Sequence, residues 1–172
     1  MKTETEKPNS PVRLPKRARG SSTRDYGRLL ILAGSRGYTG APSFASRAAV
    51  RGGAGLVWLG VPESIYAVTA VKNDEAMPFP LPCDAQGRLT AEALPEVEAR
   101  LERRSGLAIG PGLGRSAGVT EFVQGALAAS RVPTVVDADA LWALARDMSS
   151  LEDAACPLVL TPHEGEFAML GG

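Results

Sequence analysis

The sequence predicts an α/β fold with a mostly parallel central sheet and helices on both faces, because one local layout recurs three times. Leu107-Ala108-Ile109-Gly110-Pro111-Gly112-Leu113-Gly114 is an apolar run that breaks into a turn with three glycines in five residues. Val132-Pro133-Thr134-Val135-Val136 runs into Asp137-Ala138-Asp139-Ala140-Leu141, and Pro157-Leu158-Val159-Leu160 runs into Thr161-Pro162-His163-Glu164-Gly165-Glu166. Each is a short buried strand whose end carries glycine or polar residues and opens a helix. Strands that alternate with helices pair in parallel, and their ligands gather at the carboxyl ends.

The elements follow in order. Residues 1–25 read as a flexible basic arm, with Lys2, Lys7, Arg13, Lys16, Arg17 and Arg19 against Glu4 and Glu6 in the first 22 residues, and with prolines at 8, 11 and 15. Residues 27–33 form the first strand, and residues 34–40 a loop with three glycines. Pro42 suits the first turn of the next helix, whose apolar face is read as Phe44, Ala45, Ala48 and Ala49 and which stops at Gly52-Gly53. Residues 55–61 are a second buried strand, completing a βαβ unit with a right-handed crossover. Residues 64–72 read as a short helix, and residues 73–82, with three prolines, as an irregular surface loop. Residues 90–104 are amphipathic, with Leu94, Val97 and Leu101 on one face. Helices are expected over residues 116–129 and 138–146, and a last one begins at His163.

Composition narrows the function. Nineteen basic residues balance nineteen acidic ones, which asks for neither nucleic acid nor an anionic membrane as partner. The two cysteines, Cys83 and Cys156, fit neither a disulfide framework nor a metal knuckle and read as reduced thiols. No apolar stretch is long enough to span a bilayer and the amino terminus has no apolar leader, so the expectation is a cytoplasmic protein.

Glycines at a strand-to-helix junction allow positive φ and let backbone N–H groups approach a ligand, so the turn at residues 110–114 reads as an anion site. His163, the only histidine, either holds a phosphate, donates to a carbonyl or moves a proton, or it caps a helix locally. Asp137 and Asp139 are two apart, so on a continuing strand both leave one face and suit hydrated magnesium or a sugar hydroxyl; Asp139 equally suits a cap. No Walker loop, complete dinucleotide fingerprint, nucleophile elbow or zinc spacing is present.

Several segments in register resemble the ADP-dependent NAD(P)H-hydrate dehydratase family, a carbohydrate-kinase-like repair domain. They are residues 26–35 (Tyr-Gly-Arg-Leu-Leu-Ile-Leu-Ala-Gly-Ser), Tyr38-Thr39-Gly40-Ala41-Pro42, residues 51–57, 109–114, 136–141 and 160–166, with a lead-in at Leu14-Pro15 and Arg17. The resemblance implies that residues 26–172 are the amino-terminal portion of a ribokinase-like domain whose carboxyl-terminal part is missing. It implies that Ala41, Gly112, Gly114 and His163 bind the hydrate (NADHX or NADPHX), with Asp137, Asp139 and Glu166 as polar support.

It also implies ADP, or ATP, as co-substrate with Mg2+. The hydroxyl of the hydrated ring is phosphorylated and phosphate then leaves, giving NADH or NADPH with AMP and phosphate. A homo-oligomer, tetrameric in the family, and a functional pairing with an NAD(P)H-hydrate epimerase are implied as well. There are two departures. Ser22-Thr23-Arg24 stands where relatives have His-Lys-Gly, and the family's Gly-Thr-Gly-Asp segment, which carries the catalytic base, has no counterpart in these 172 residues. Two alternatives therefore stand beside the dehydratase reading: a vitamin-precursor kinase of the same fold, and a non-catalytic binding or assembly fragment.

Overall fold

The computed structural model describes residues 16–152 and 154–172. Six strands, β1 (Arg28–Leu32), β2 (Leu56–Pro62), β3 (Met77–Leu81), β4 (Gly106–Ile109), β5 (Thr134–Val136) and β6 (Leu158–Leu160), form one sheet in the order β3-β2-β1-β4-β5-β6. Every pairing is parallel. The helices are α1 (Gly40–Arg51), α2 (Glu63–Lys72), α3 (Leu94–Leu101), α4 (Ala117–Ala129), α5 (Asp139–Leu144), α6 (Ser149–Glu152) and α7 (Glu164–Met169).

The alternation of side chains along a strand divides the core in two. Leu30, Leu32, Leu107, Ile109 and Val136 pack with Val97, Phe122 and Leu141 of α3, α4 and α5. Ile31, Ala33, Val57, Leu59 and Val61 form a second cluster with Ile65 of α2. The chain winds outward from β1 in one direction and from β4 in the other. With one crossover hand, that puts the helices of the two halves on opposite faces. Coverage is unequal, however, because α1 and α2 shield only the β1 to β3 side. Val135 and Val159, which point to the same face on β5 and β6, stay exposed.

Three expectations need correction. Residues 77–81 are an edge strand, not an irregular loop. Pro78 and Pro80 alternate in it, so their missing donors fall on the side with no neighbour, where proline is tolerated. The buried face of α1 is Pro42, Ser43 and Ser46, with Ala45 and Ala49 partly buried against the core as expected, while Phe44 is 75% exposed. The amphipathic segment at residues 90–104 keeps its face but is helical only over Leu94–Leu101, after a 3-10 turn at Ala91–Ala93. Of the basic amino-terminal stretch, residues 1–15 lie outside the described residues; the Arg17 guanidinium rests 4.4 Å from the Tyr26 ring centre and donates to the Gly53 carbonyl.

The serines on α1 are buried because they meet Asn73, at the end of α2. Its Nδ2 donates to the Thr69 carbonyl at 2.7 Å and to Ser43 Oγ at 3.2 Å, and its Oδ1 accepts from Ser46 Oγ. Replacing Asn73 with alanine should cost about 1–3 kcal/mol of stability, because buried hydroxyls lose their partner. Urea denaturation checks this, and a cost under about 0.5 kcal/mol would mean that Ser43 and Ser46 are satisfied without it.

Candidate functional site

Neighbouring strands β1 and β4 send their chains in opposite directions, which leaves a crevice at their carboxyl ends. Two glycine loops meet there. The Gly34 N–H donates to the Pro111 carbonyl at 2.9 Å, and Ser35 Oγ, nearly fully buried, donates to the Gly112 carbonyl at 2.8 Å. Gly112 has φ +69°, and a Cβ there would sit 2.9 Å from Ala41 Cβ and 3.1 Å from Tyr38 Cβ. The structure thus brings Ala41, in the first turn of α1, onto the loop that carries Gly112 and Gly114, far away in sequence.

The turn is not a row of bare N–H groups leading straight into a helix. Helix α4 begins at Ala117, behind an N-cap of its own, Ser116, whose hydroxyl accepts from the Val119 N–H at 3.2 Å. The Gly114 N–H is already taken, donating to Asp139 Oδ2 at 2.9 Å, and the other oxygen of Asp139 accepts from Arg115 Nε at 3.1 Å. Asp137 and Asp139 do not share a face. Strand β5 ends at Val136 and Ala138 takes φ +50°, so the two carboxylates diverge, Asp137 accepting from Thr161 Oγ1 at 2.8 Å. Among the described residues no group of three His, Cys, Asp or Glu side chains could hold a metal. The residues present therefore do not build a magnesium site of their own.

His163 stands further along the same edge, at the end of β6, with its ring 73% exposed. Its Nδ1 accepts from the N–H groups of Gly165 (3.1 Å) and Glu166 (3.3 Å), and Glu166 Oε2 accepts from the His163 N–H in return. This is a capping box with histidine in the serine role. An Nδ1 that accepts leaves the ring hydrogen on Nε2, 3.4 Å from Glu166 Oε1, as the one donor the ring can offer outward. His163 does not line the cavity beside Gly114.

That cavity, of ≈ 560 Å³, is walled by Ser35, Arg36, Tyr38, Gln86, Arg88, Gly114, Arg115 and Asp139. Its three arginines were not singled out from sequence. Arg36 and Arg115 sit in or directly after glycine loops, a placement that marks them in hindsight. Arg88 carries no such signal, because a tight loop closed by the Cys83–Leu89 bridge delivers it. There Asp84 accepts from the N–H groups of Gln86 and Arg88 and from Arg88 Nε, each at 2.9 Å. Arg88 in turn donates to the Arg115 carbonyl, and Arg36 to the Ala85 carbonyl, which ties the loop across the crevice.

A parallel, doubly wound sheet with a crevice between two interlocked glycine loops is the architecture of a ribokinase-like α/β domain. The solved structure of the ADP/ATP-dependent NAD(P)H-hydrate dehydratase from Bacillus subtilis, co-crystallised with ATP/Mg2+, superposes with a TM-score of 0.68 at 28% identity, over 91% of this chain and 51% of that one. Residues 29–172 match the family model described as NAD(P)H-hydrate dehydratase, and the chain belongs to that family. It is 45% identical over 159 residues, 92% of its length, to the bifunctional NAD(P)H-hydrate repair enzyme Nnr of Moorella thermoacetica, of which it covers 30%. It is 37% identical over 158 residues to the ADP-dependent (S)-NAD(P)H-hydrate dehydratase of Streptococcus pneumoniae, covering 91% of this chain and 50% of that protein. The chain thus spans about half or less of the length of these relatives.

Two outcomes test the geometry. Gly112→Val should destabilise the fold by about 1–3 kcal/mol through a strained φ and a clash with Ala41. Gly118→Ala in α4, where a Cβ meets only ordinary contacts, should stay within about 0.5 kcal/mol of wild type. Thermal melts followed by circular dichroism compare the two.

Burial raises the pKa of the Asp84 carboxyl, but the hydrogen bonds from Arg88 and Gln86 and the Arg88 charge outweigh it and hold the group below its ordinary value. A depressed carboxylate stabilises the fold above its unfolded pKa, and that contribution fades as pH falls through the lower folded value. Wild type should therefore exceed Asp84→Asn by about 1 kcal/mol at neutral pH, and the gap should close on acidification below about pH 4. Urea titrations at both pH values measure it.

Proposed function

We propose that this chain supplies the hydrate-binding half of an ADP- or ATP-dependent NAD(P)H-hydrate dehydratase. The observation that carries the reading is the meeting of Ala41, Gly112 and Gly114 at the switch-point crevice, beside a cavity with three arginines. Residues of the matching family segments thereby become one surface.

In this reading the nicotinamide end of NADHX or NADPHX lies against Ala41 and Gly112, which the missing Gly112 side chain lets pack together into one surface. Arg36 and Arg115 meet its phosphates, because guanidinium forks match phosphate oxygens. His163 offers its Nε2 hydrogen to the substrate, with Glu166 fixing the ring and Asp137 and Asp139 holding the loop ends. The hydroxyl oxygen of the hydrated ring attacks the terminal phosphorus of the nucleotide and the bond to the departing nucleotide oxygen breaks, giving AMP from ADP. The ring's C–O bond then breaks as phosphate leaves and a ring proton is lost, regenerating NADH or NADPH. Hydroxide leaves poorly and phosphate well, which is what the nucleotide contributes. The relatives named as bifunctional repair enzymes support a working partnership with an epimerase, and a homo-oligomer is part of the same proposal.

The Gly-Thr-Gly-Asp segment is absent from the 172 residues, so these residues alone should give no measurable nucleotide-dependent dehydration, whereas a chain extended through that segment should. In the extended protein His163→Ala should raise KM several-fold more than it lowers kcat, as expected for a group that positions substrate. Steady-state formation of NADH from NADHX checks both. Turnover by the 172 residues, or unchanged kinetics in the histidine variant, would overturn the respective assignment.

A further inference from the structure

We propose that the opposite, amino-terminal edge of the sheet carries a second anion site, a cleft in which Arg24, Arg28, Arg103 and Arg104 take the diphosphate group of a small ligand. Arg28 opens β1, and residues 102–105 form the turn that enters β4, so two central strands begin at this spot. The four arginines line one cleft of ≈ 410 Å³ together with Glu102. A neighbouring groove of ≈ 710 Å³ shares Arg104 and Glu102 and adds Arg131.

The floor is rigid. The Arg28 N–H donates to Ser105 Oγ at 2.7 Å and the Ser105 N–H to the Arg28 carbonyl at 2.8 Å. Arg104 is fixed as well, its guanidinium 3.7 Å from the Trp58 ring centre and its Nη1 donating to the Arg103 carbonyl at 3.3 Å. Its Nε is buried with no hydrogen-bond partner.

The cations at the two edges are balanced differently. At the carboxyl edge Arg88 pairs with Asp84 and Arg115 with Asp139. At the amino edge none of Arg24, Arg28, Arg103 or Arg104 forms an ion pair among the described residues. Burial, and then the charges of Arg100, Arg28 and Arg103, push the Arg104 pKa down, so mutual repulsion is felt there. A bound anion relieves that repulsion, and several guanidinium forks around one hollow suit the oxygens of a diphosphate better than a single carboxylate. The overall balance of nineteen basic and nineteen acidic residues favours a small anion over a nucleic acid as the occupant.

Calorimetric titration of the 172-residue chain with pyrophosphate, ADP and inorganic phosphate at low salt tests the site. Pyrophosphate should bind, and Arg24→Gln/Arg103→Gln, both on exposed side chains, should weaken it by about tenfold or more while leaving the thermal melt unchanged. Arg103→Gln alone gives the same direction should the pair prove unstable. Arg47→Gln, on an exposed guanidinium that lines neither cleft, should leave this binding in place. ADP binding tighter than pyrophosphate, with the same Arg103 dependence, assigns the diphosphate to a nucleotide; equal binding assigns it to free diphosphate. Absence of pyrophosphate binding, binding that is unchanged in Arg24→Gln/Arg103→Gln and in Arg103→Gln, or tighter capture of a single-stranded oligonucleotide would overturn the proposal.

Discussion

The joint between the loops that follow β1 and β4 is the constraint on which the crevice depends. The two central loops diverge into helices on opposite faces of the sheet, and the crevice keeps its shape only because they meet first. They are held by the Gly34 N–H on the Pro111 carbonyl and by Ser35 Oγ on the Gly112 carbonyl. Glycine is needed on both sides of the joint. A Cβ on Gly34 would lie 2.9 Å from Ile65 and Pro42, jamming the first loop against α1 and α2, and one on Gly112 would lie 2.9 Å from Ala41, pushing the loops apart. A third loop enters through Asp139, which fastens Gly114 and Arg115 to the end of β5. The crevice is therefore shaped before any ligand arrives, with its cost already met in folding.

How far this was legible from sequence depended on whether the signal was local. Strands β1, β2 and β4 were plain because a strand buried on both faces reads as an unbroken apolar run, and α4 because Ser116 caps it. Strand β3 was not, since its prolines signal a loop unless the strand lies at an edge, and edge position is a tertiary fact. The face of α1 was misplaced for a related reason. Hydrophobicity favoured Phe44, whereas the neighbouring helix offers Asn73, whose amide takes up the hydroxyls of Ser43 and Ser46.

In the site, glycines betrayed themselves because their backbone demands are local, and Ala41, Gly112 and Gly114 do come together. Arg88 gave no hint, because a loop closed by Asp84 carries it to the crevice. His163 was open to two readings, and the geometry accommodates both at different atoms. Nδ1 caps α7 while Nε2 keeps its hydrogen for a neighbour. A side chain with two distinct nitrogens can serve structure at one and a ligand at the other.

Asp139 changes what the organising turn is able to do. A turn with free N–H groups would bind an anion through its backbone, but here the carboxylate occupies the Gly114 N–H from within the protein. An incoming phosphate would meet negative charge if it approached that N–H directly. The same carboxylate holds Arg115 by Nε alone, and among the described residues the terminal nitrogens of that guanidinium have no hydrogen-bond partner. Recognition of an anion is thereby moved from the backbone to the guanidinium, a few ångströms further out in the cavity. In the reading proposed above, the substrate's phosphates would sit at the rim on Arg36 and Arg115, and the uncharged ring would lie against Ala41 and Gly112. An aspartate in a phosphate-type turn, paradoxical if the turn alone is considered, would then serve to keep the two ends of the ligand apart.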